Sequence, residues 1–579
     1  MNTTILKRLL HYLKPHKIYL LIAILSATIN IALTLFAPVL IGRAIDFIIS
    51  ENNVMFSTIY PILVELLFVV IFASIFQWVL SQSTNIIAYR TITDIRKQVF
   101  EKLNKMPLGY VDRTPHGDIN SRIVNDIDTI SDGLIQGLTQ MFTGIITVVG
   151  TLGFMLSINV GITVVVVIVT PISIFVAIFI AKRSYKMFRK QSEVQGELSA
   201  YTQETLSGQK VIKTFNYEDT SIQQFNKINS KLQHYGTKAQ FYSSIANPST
   251  RFVNGLVYAA VGVIGALGAA SGHGLTVGQI SCFLSYANQY TKPFNEITSV
   301  ITQIQAAFAS AQRVFDVLDE ETEPEDEQNS LPIKSSRGNV DFKNVYFSYN
   351  KSTALINNLN LHVNSGQKIA IVGPTGCGKT TIINLLMRFY DVDEGEILLD
   401  GVNIQNIKRD NLRSMYGMVL QDTWLKTGTI RDNIAYANPN ATEKQIINAA
   451  KLSHAHDFIK RLPKAYDTII SDGADTLSQG EKQLICIARV MLSDPQILIL
   501  DEATSSIDTR TEIKIQSAFD RMTQNKTSFI VAHRLSTIQG ADKILVMNNG
   551  NVIEQGTHEE LTKLHGFYYN LYNSQFAAT

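Results

Sequence analysis

Lys368-Ile369-Ala370-Ile371-Val372-Gly373-Pro374-Thr375-Gly376-Cys377-Gly378-Lys379-Thr380-Thr381-Ile382-Ile383-Asn384-Leu385-Leu386 reads as a strand, a glycine-rich loop and a helix in immediate succession. The four apolar residues after Lys368 suit a fully buried strand. The loop matches the spacing GxxxxGK[ST] in the context that a phosphate-binding loop requires. Its glycines let backbone N–H groups turn inward on phosphates, and the following helix N-terminus adds partial positive charge. Lys379 is expected to reach the β- and γ-phosphates, and the Thr380 hydroxyl to serve Mg²⁺. Cys377 reads as a small filler of this loop, within reach of an alkylating reagent. A second strand, Ile497-Leu498-Ile499-Leu500, delivers Asp501 and Glu502 to the sheet edge. That placement suits an Asp holding Mg²⁺ and an adjacent Glu polarising an attacking water.

Working outward, about Gly338 to Thr579 alternates short β-rich runs with helical patterns, the mark of an α/β domain. Ahead of it stands Glu320-Glu321-Thr322-Glu323-Pro324-Glu325-Asp326-Glu327, read as a solvated linker over 320–337. Residues 1–319 have a different composition. Ile18–Gly42, Leu66–Tyr89, Gly133–Ala181 and Phe252–Thr291 contain no Asp, Glu, Lys or Arg. Each is long enough to cross a ~30 Å hydrocarbon core as a helix. Gly133–Ala181 would run to about 70 Å as one helix, so it must fold back near Ser157–Gly161. Six crossings are expected, at about 18–42, 59–82, 137–157, 160–181, 252–271 and 276–303.

Basic residues cluster before the first crossing (Lys7, Arg8, Lys14, Lys17), after the second and after the fourth. The positive-inside rule then puts the N-terminus and the α/β domain in the cytoplasm. The polar stretches Arg90–Asp132 and Lys182–Arg251 keep helical spacing of apolar residues, so the membrane helices should continue well beyond the bilayer.

The whole-chain averages follow from this division. Over 579 residues, 46% hydrophobic and 17% charged excludes disorder, and the mean hydropathy of +0.09 lies between soluble and wholly membrane-embedded chains. A net charge of +2 argues against nucleic acid as a partner recognised by bulk charge. Three separated cysteines, Cys282, Cys377 and Cys486, give no disulfide framework.

These motifs together resemble an ATP-binding-cassette transporter of the exporter-type half-transporter kind, along essentially the full chain. Leu477-Ser478-Gln479-Gly480-Glu481-Lys482-Gln483 resembles the family's signature motif. Gln421 is similar to the Q-loop glutamine, Ser505-Ser506-Ile507-Asp508 to the D-loop, His533 to the switch histidine, and Tyr349 to the aromatic that stacks on adenine. The resemblance implies a multi-domain fold: an all-α six-helix transmembrane domain, then an α/β nucleotide-binding domain. It implies an ATPase using ATP and Mg²⁺, with Glu502 as general base, His533 and Lys379 on the γ-phosphate, and Thr380, Gln421 and Asp501 at Mg²⁺. Gly373, Pro374, Thr375, Gly376, Cys377, Gly378, Lys379, Thr380, Thr381 and Tyr349 would hold one nucleotide. Ser478, Gln479, Gly480 and Asp508 would meet the nucleotide of a second half-transporter. Short transverse helices, placed at Met106–Arg113 and Asn216–Phe225, would dock on the nucleotide domains. The family context is a multi-pass bacterial cell membrane, with membrane lipid and a small amphipathic drug-like or lipid-like cargo as partners. An importer of a metal-chelator complex on the same frame is the alternative.

The signature motif departs from the family's LSGGQ at Gln479 and Glu481, and Ser471–Asp475 lacks the glutamate-bearing stretch usual in homodimers. An anionic Glu481 facing a partner's polyphosphate opposes closure. Altered signatures accompany an intact catalytic glutamate in exporter heterodimers, so a heterodimer is expected over a homodimer.

Overall fold

The computed structural model describes residues 3–50, 53–270, 275–324, 326, 331–333, 335–350, 355–420, 423–471, 477–501, 507–532 and 538–576. Apolar stretches without charge or turn residues leave the backbone no partner but itself, and the first half is accordingly helical. The order is α1 (Thr3–Leu13), α2 (Lys17–Asp46), α3 (Phe56–Leu103), α4 (Leu108–Arg113), α5 (His116–Ser121), α6 (Ile127–Ile158), α7 (Val160–Ser207), α8 (Gln209–Thr214), α9 (Glu218–Ala270) and α10 (Val277–Asp319). A short antiparallel pair, β1 (Ile48–Ser50) and β2 (Asn53–Val54), separates α2 from α3. At 48 residues each, α3 and α7 run to about 72 Å, so helices do continue through Arg90–Leu103 and Lys182–Ser207. The reversal expected near Ser157–Gly161 falls at Asn159, whose extended backbone (φ −157°) breaks the helix. Its side chain accepts the Ile162 N–H to start α7.

Among the described residues, three helical stretches are long and apolar enough to cross a membrane: Thr4–Asp46, Phe56–Leu103 and His116–Ile158. Val160–Ile172 and Arg251–Leu267 are shorter apolar stretches. Close packing uses small residues: a Cβ on Gly42 would lie 2.6 Å from the Gly278 carbonyl oxygen, bringing α2 and α10 together backbone to backbone. Near the bundle's polar end, Asp126 accepts from the Arg313 guanidinium and the Ser310 hydroxyl. That pairing holds its carboxyl below the usual carboxylate range.

The chain divides into two compact units, Met1–Lys105 with Thr114–Glu320, and Met106–Arg113 with Glu321–Thr579. In the second, Lys368–Val372 (β5), Tyr416–Val419 (β8), Ile497–Asp501 (β11), Thr527–Val531 (β12) and Lys543–Asn548 (β13) form a parallel sheet. With Asn551–Gly556 (β14) pairing antiparallel at the edge, the order is β14-β13-β5-β12-β11-β8. A four-stranded antiparallel sheet, order β4-β3-β6-β7, is made from Val340–Phe347 (β3), Ile356–Val363 (β4), Glu394–Leu399 (β6) and Val402–Asn403 (β7). Gly428–Thr429 (β9) and Ile469–Ile470 (β10) form a short antiparallel pair, among the helices Arg409–Ser414 (α12), Ile430–Ile434 (α13), Glu443–Leu452 (α14) and His456–Ile459 (α15). The central strands β5, β11 and β12 are buried at nearly every position, as strands covered on both faces must be.

The described part of the acidic stretch faces solvent, as its composition suggests, but it is also tied to the α/β unit. Arg409 is 7% exposed at its side chain and donates to the Pro324 carbonyl (2.7 Å) and to Asp326 (3.1 Å). Arg413 pairs with Glu323, and Arg388, also nearly buried, pairs with Asp326 at 3.6 Å. Three arginines from the α/β unit thus draw the acidic run onto its surface. The reason is mutual: buried guanidinium groups need carboxylates, and composition alone does not show where such cations sit.

Candidate functional site

The phosphate loop leaves β5 in the middle of the parallel sheet, between β12 and β13. Gly376 (φ +81°) and Gly378 (φ +102°) take the left-handed conformation that glycine permits. At Gly373 the constraint is space as well: a Cβ there would lie 2.3 Å from the Met547 carbonyl oxygen. Gly378 is the residue before the helix Lys379–Leu386 (α11). Lys379 lies in its first turn and donates to the carbonyls of Gly373 (2.8 Å) and Pro374 (3.0 Å). Its ammonium therefore sits over the loop, where a phosphate group can take over those contacts. Pro374, Thr375 and Thr380 are exposed, whereas Thr381 is buried.

Cys377 corrects the expectation of an accessible thiol. It is 4% exposed and belongs to the core between sheet and helix; its carbonyl accepts the Gly550 N–H at 3.2 Å. Burial pushes its thiol pKa up, so the reactive thiolate is disfavoured. What it contributes to the loop is backbone and a well-packed apolar side chain.

Tyr349 lies just beyond β3, half-exposed, with its ring edge-on to Phe347 and to Tyr390, each 4.9 Å away between centroids. Asn384 of α11 donates to the Tyr349 hydroxyl at 3.0 Å. The ring is thus braced on one side and free to stack on the other. Tyr390 and Asn384 were not singled out from sequence. The signal was present only as proximity to the phosphate loop, four residues after the α11 C-terminus for Tyr390. Tyr390 also donates to Asp112 of α4 at 2.5 Å. Met106–Arg113, one expected position of a docking helix, thus belongs to the nucleotide unit. Asn216–Phe225, the other, spans the bend at Asn216 (φ +50°) and the start of α9.

Asp501 ends β11 in register with Val531, at the carboxyl edge where open α/β sheets bind ligands. An exposed Thr380 hydroxyl in the first turn of α11 and a carboxylate at this edge are hard oxygen donors, the set that Mg²⁺ prefers. Glu502, His533 and Gln421 lie outside the described residues, as does most of Ser471–Asp475.

The altered signature forms the start of a helix, Gln479–Ser493 (α16). Ser478 is its N-cap, and Glu481 completes a capping box: its carboxylate accepts the Ser478 N–H (2.8 Å) and hydroxyl (3.0 Å). Gln479 is exposed, so its bulk is accommodated. Gly480 is buried, and a Cβ there would meet the Thr511 methyl at 2.4 Å. Asp508 caps Thr509–Thr523 (α17), accepting the Thr511 N–H at 3.0 Å. Hydrogen bonds from Thr511 hold its carboxyl below the usual range.

Comparison with known proteins agrees with this geometry. Residues 20–294 match the ABC transporter transmembrane region and residues 356–505 the ABC transporter domain. The chain is 41% identical over 530 residues to a fatty acid ABC transporter ATP-binding/permease protein of Mycobacterium bovis, covering 92% of this chain and 82% of that one. It is 34% identical to an ATP-dependent lipid A-core flippase of Syntrophus aciditrophicus, over 99% of this chain and 94% of that one. It is also 34% identical to a putative multidrug export ATP-binding/permease protein, YgaD, of Bacillus subtilis, over 99% of each. The chain belongs to the ATP-binding-cassette transporters, as a multi-pass membrane half-transporter of the exporter type whose nucleotide domain is an ATPase coupled to transport.

Proposed function

We propose that this chain is the catalytic-glutamate-bearing half of a heterodimeric exporter that moves an amphipathic drug-like or lipid-like molecule. Half-transporters of this family work as dimers, and ATP binding follows from the ATPase domain. In the reading favoured here, α2, α3, α6, α7, α9 and α10 all cross the membrane, with the N-terminus and the nucleotide domain (about 338–579) in the cytoplasm of a bacterial cell. One nucleotide rests on Gly373–Thr381 with its adenine on Tyr349. Lys379 offsets phosphate charge, Glu502 orients and deprotonates water, and His533 steadies the γ-phosphate. Thr380, Asp501 and Gln421 are the residues to hold Mg²⁺, which offsets the charge that develops on the phosphates. Ser478, Gln479, Gly480 and Asp508 face the partner's nucleotide.

The observation that carries the heterodimer is the negative charge that the capping box fixes on Ser478. Glu481 places a carboxylate on the hydroxyl and amide of Ser478, donors that a phosphate at this helix N-terminus requires. A site closed by this signature holds ATP weakly or turns it over slowly, so a partner with an intact signature completes the working site. The cargo class is supported by the relatives' names, which mention fatty acid, lipid A-core and multidrug export; none of these favours a metal-chelator importer. The test is purification of the chain alone in lipid nanodiscs. Little cargo-stimulated ATPase is expected; vigorous stimulated turnover by the lone chain would establish a homodimer and overturn the reading.

A further inference from the structure

The membrane unit contains a groove between α2 and α3 with a volume of about 640 Å³, a size typical of small-molecule sites (~300–1,000 Å³). One helical face of each element lines it. Asn30, Leu33, Thr34 and Ala37 come from α2, and α3 contributes a face from Val69 to Ser81, about 18 Å long. That is close to the depth of one ~15 Å leaflet of hydrocarbon.

Its two amide side chains meet at one level, whereas the Ser74 hydroxyl is satisfied within α3 by the Val70 carbonyl at 2.9 Å. Asn30 donates its amide N–H to the Gln77 carbonyl oxygen at 2.6 Å, and the Thr34 hydroxyl lies 3.5 Å from the Asn30 oxygen. Asn30 is the thirteenth residue of the 25 in the uncharged stretch Ile18–Gly42, and Gln77 the twelfth of the 24 in Leu66–Tyr89. Both therefore lie near the middle of their uncharged stretches, where an unsatisfied amide is costly. Gln77 is exposed, and among the described residues its amide N–H₂ has no acceptor. Nothing in the groove's lining is ionisable. A ligand carrying a full charge to this level would find no counter-charge there, which hydrocarbon penalises heavily.

We infer that the groove between α2 and α3 binds a neutral amphipathic molecule, whose uncharged acceptor-bearing head takes the Gln77 N–H₂ while its chain lies along Val69, Val70 and Trp78. This deepens the export reading and rests on it, because it names the polarity of the molecule that is moved. Halfway across the membrane, the Asn30–Gln77 pair replaces part of the water that such a head gives up.

Trp78 provides the readout, since the chain has only two tryptophans and Trp424→Phe removes the other. The assembled full-length transporter, with Trp78 as this chain's sole tryptophan and the partner's tryptophans replaced by phenylalanine, is placed in nanodiscs of saturated phosphatidylcholine. It is titrated with a monoacylglycerol bearing a dibrominated chain, and separately with the dibrominated alkyl phosphate of equal length. Saturable quenching by the monoacylglycerol is expected. Gln77→Leu should weaken it by about tenfold, the worth of one hydrogen bond in a dry site, and Ala73→Leu should weaken it by filling the groove. Quenching that rises in proportion to bromine content and is equal in all variants overturns the groove. So does saturable quenching in the lone chain that vanishes in the assembled transporter. Equal affinity for the alkyl phosphate overturns the neutral head. ATP hydrolysis and ATP-driven flux are measured alongside. Intact flux without saturable quenching sinks this site alone, whereas absent flux in the parent protein sinks the export reading beneath it.

Discussion

Glu481→Gln separates the two things that Glu481 does. In the capping box its carboxylate accepts the N–H and hydroxyl of Ser478; glutamine retains an acceptor oxygen for this motif, so α16 keeps its start. What changes is one negative charge at the place where a partner's phosphates approach. Like charges 4 Å apart repel by about 4 kcal/mol at an effective dielectric of 20 and about 1 kcal/mol in bulk water. Ser478 and Gln479 are exposed, so the lower end applies, ~1–2 kcal/mol. The favourable interaction of an anion with the helix N-terminus, ~0.3–1 kcal/mol, is present in the open and closed states alike and drops out of this difference. The gain of ~1 kcal/mol or more corresponds to at least about fivefold tighter nucleotide-dependent closure. Glu481→Ala removes the same charge and the cap as well, and the lost cap costs ~1 kcal/mol of helix stability, which the helix-content measurement reads separately from nucleotide binding. The assay is binding of a fluorescent ATP analogue with Mg²⁺ to the assembled transporter, in a Glu502→Gln background that prevents turnover. Equal or weaker binding by Glu481→Gln, with helix content unchanged, would refute the argument that this carboxylate opposes the phosphates.

Three further outcomes are expected. Glu502→Gln abolishes ATP turnover and retains ATP binding; undiminished hydrolysis would remove Glu502 as the base. Arg409→Ala takes a nearly buried cation from the Pro324 carbonyl and Asp326. Its loss should cost ~2–3 kcal/mol, below the full range for a buried pair because the carboxylates are partly exposed, and cleavage by a glutamate-specific protease within 320–327 should accelerate on the order of tenfold; an unchanged rate would sink the clamp. Asp126 has a carboxyl pKa depressed by Arg313, so its stabilising share is present above the ordinary carboxylate value of ~3.9 and is lost as pH falls through the lower folded value. The heat-stability gap between parent and Asp126→Asn should therefore hold constant from neutral pH down to about pH 5 and close below ~4; a gap closing near neutrality would contradict this.

Much of the molecule was legible as one-dimensional pattern. A buried strand, three glycines, a lysine and two threonines specify a phosphate loop because backbone conformation there depends on residue type, and the structure gives Gly376 and Gly378 their left-handed φ. Uncharged stretches at membrane length force helices because lipid offers the backbone no other partner, and α2, α3 and α6 follow. The turn at Asn159 was legible for the same local reason, a side chain able to cap. The composition of the acidic run at Glu320–Glu327 is right for a solvated segment, and only the fold brings Arg388, Arg409 and Arg413 to it.

The sequence by itself determined which chemistry is available: a phosphate loop, an acidic strand end, an altered signature and a membrane half, each written in neighbouring residues. Only the tertiary structure decided what those side chains meet. Cys377 points into the core instead of the nucleotide, Glu481 caps Ser478, Tyr390 braces Tyr349, and Asn30 reaches Gln77 across two helices. The reason is that backbone conformation is set by local residue type, whereas burial, pairing and charge neutralisation depend on contacts between residues distant along the chain.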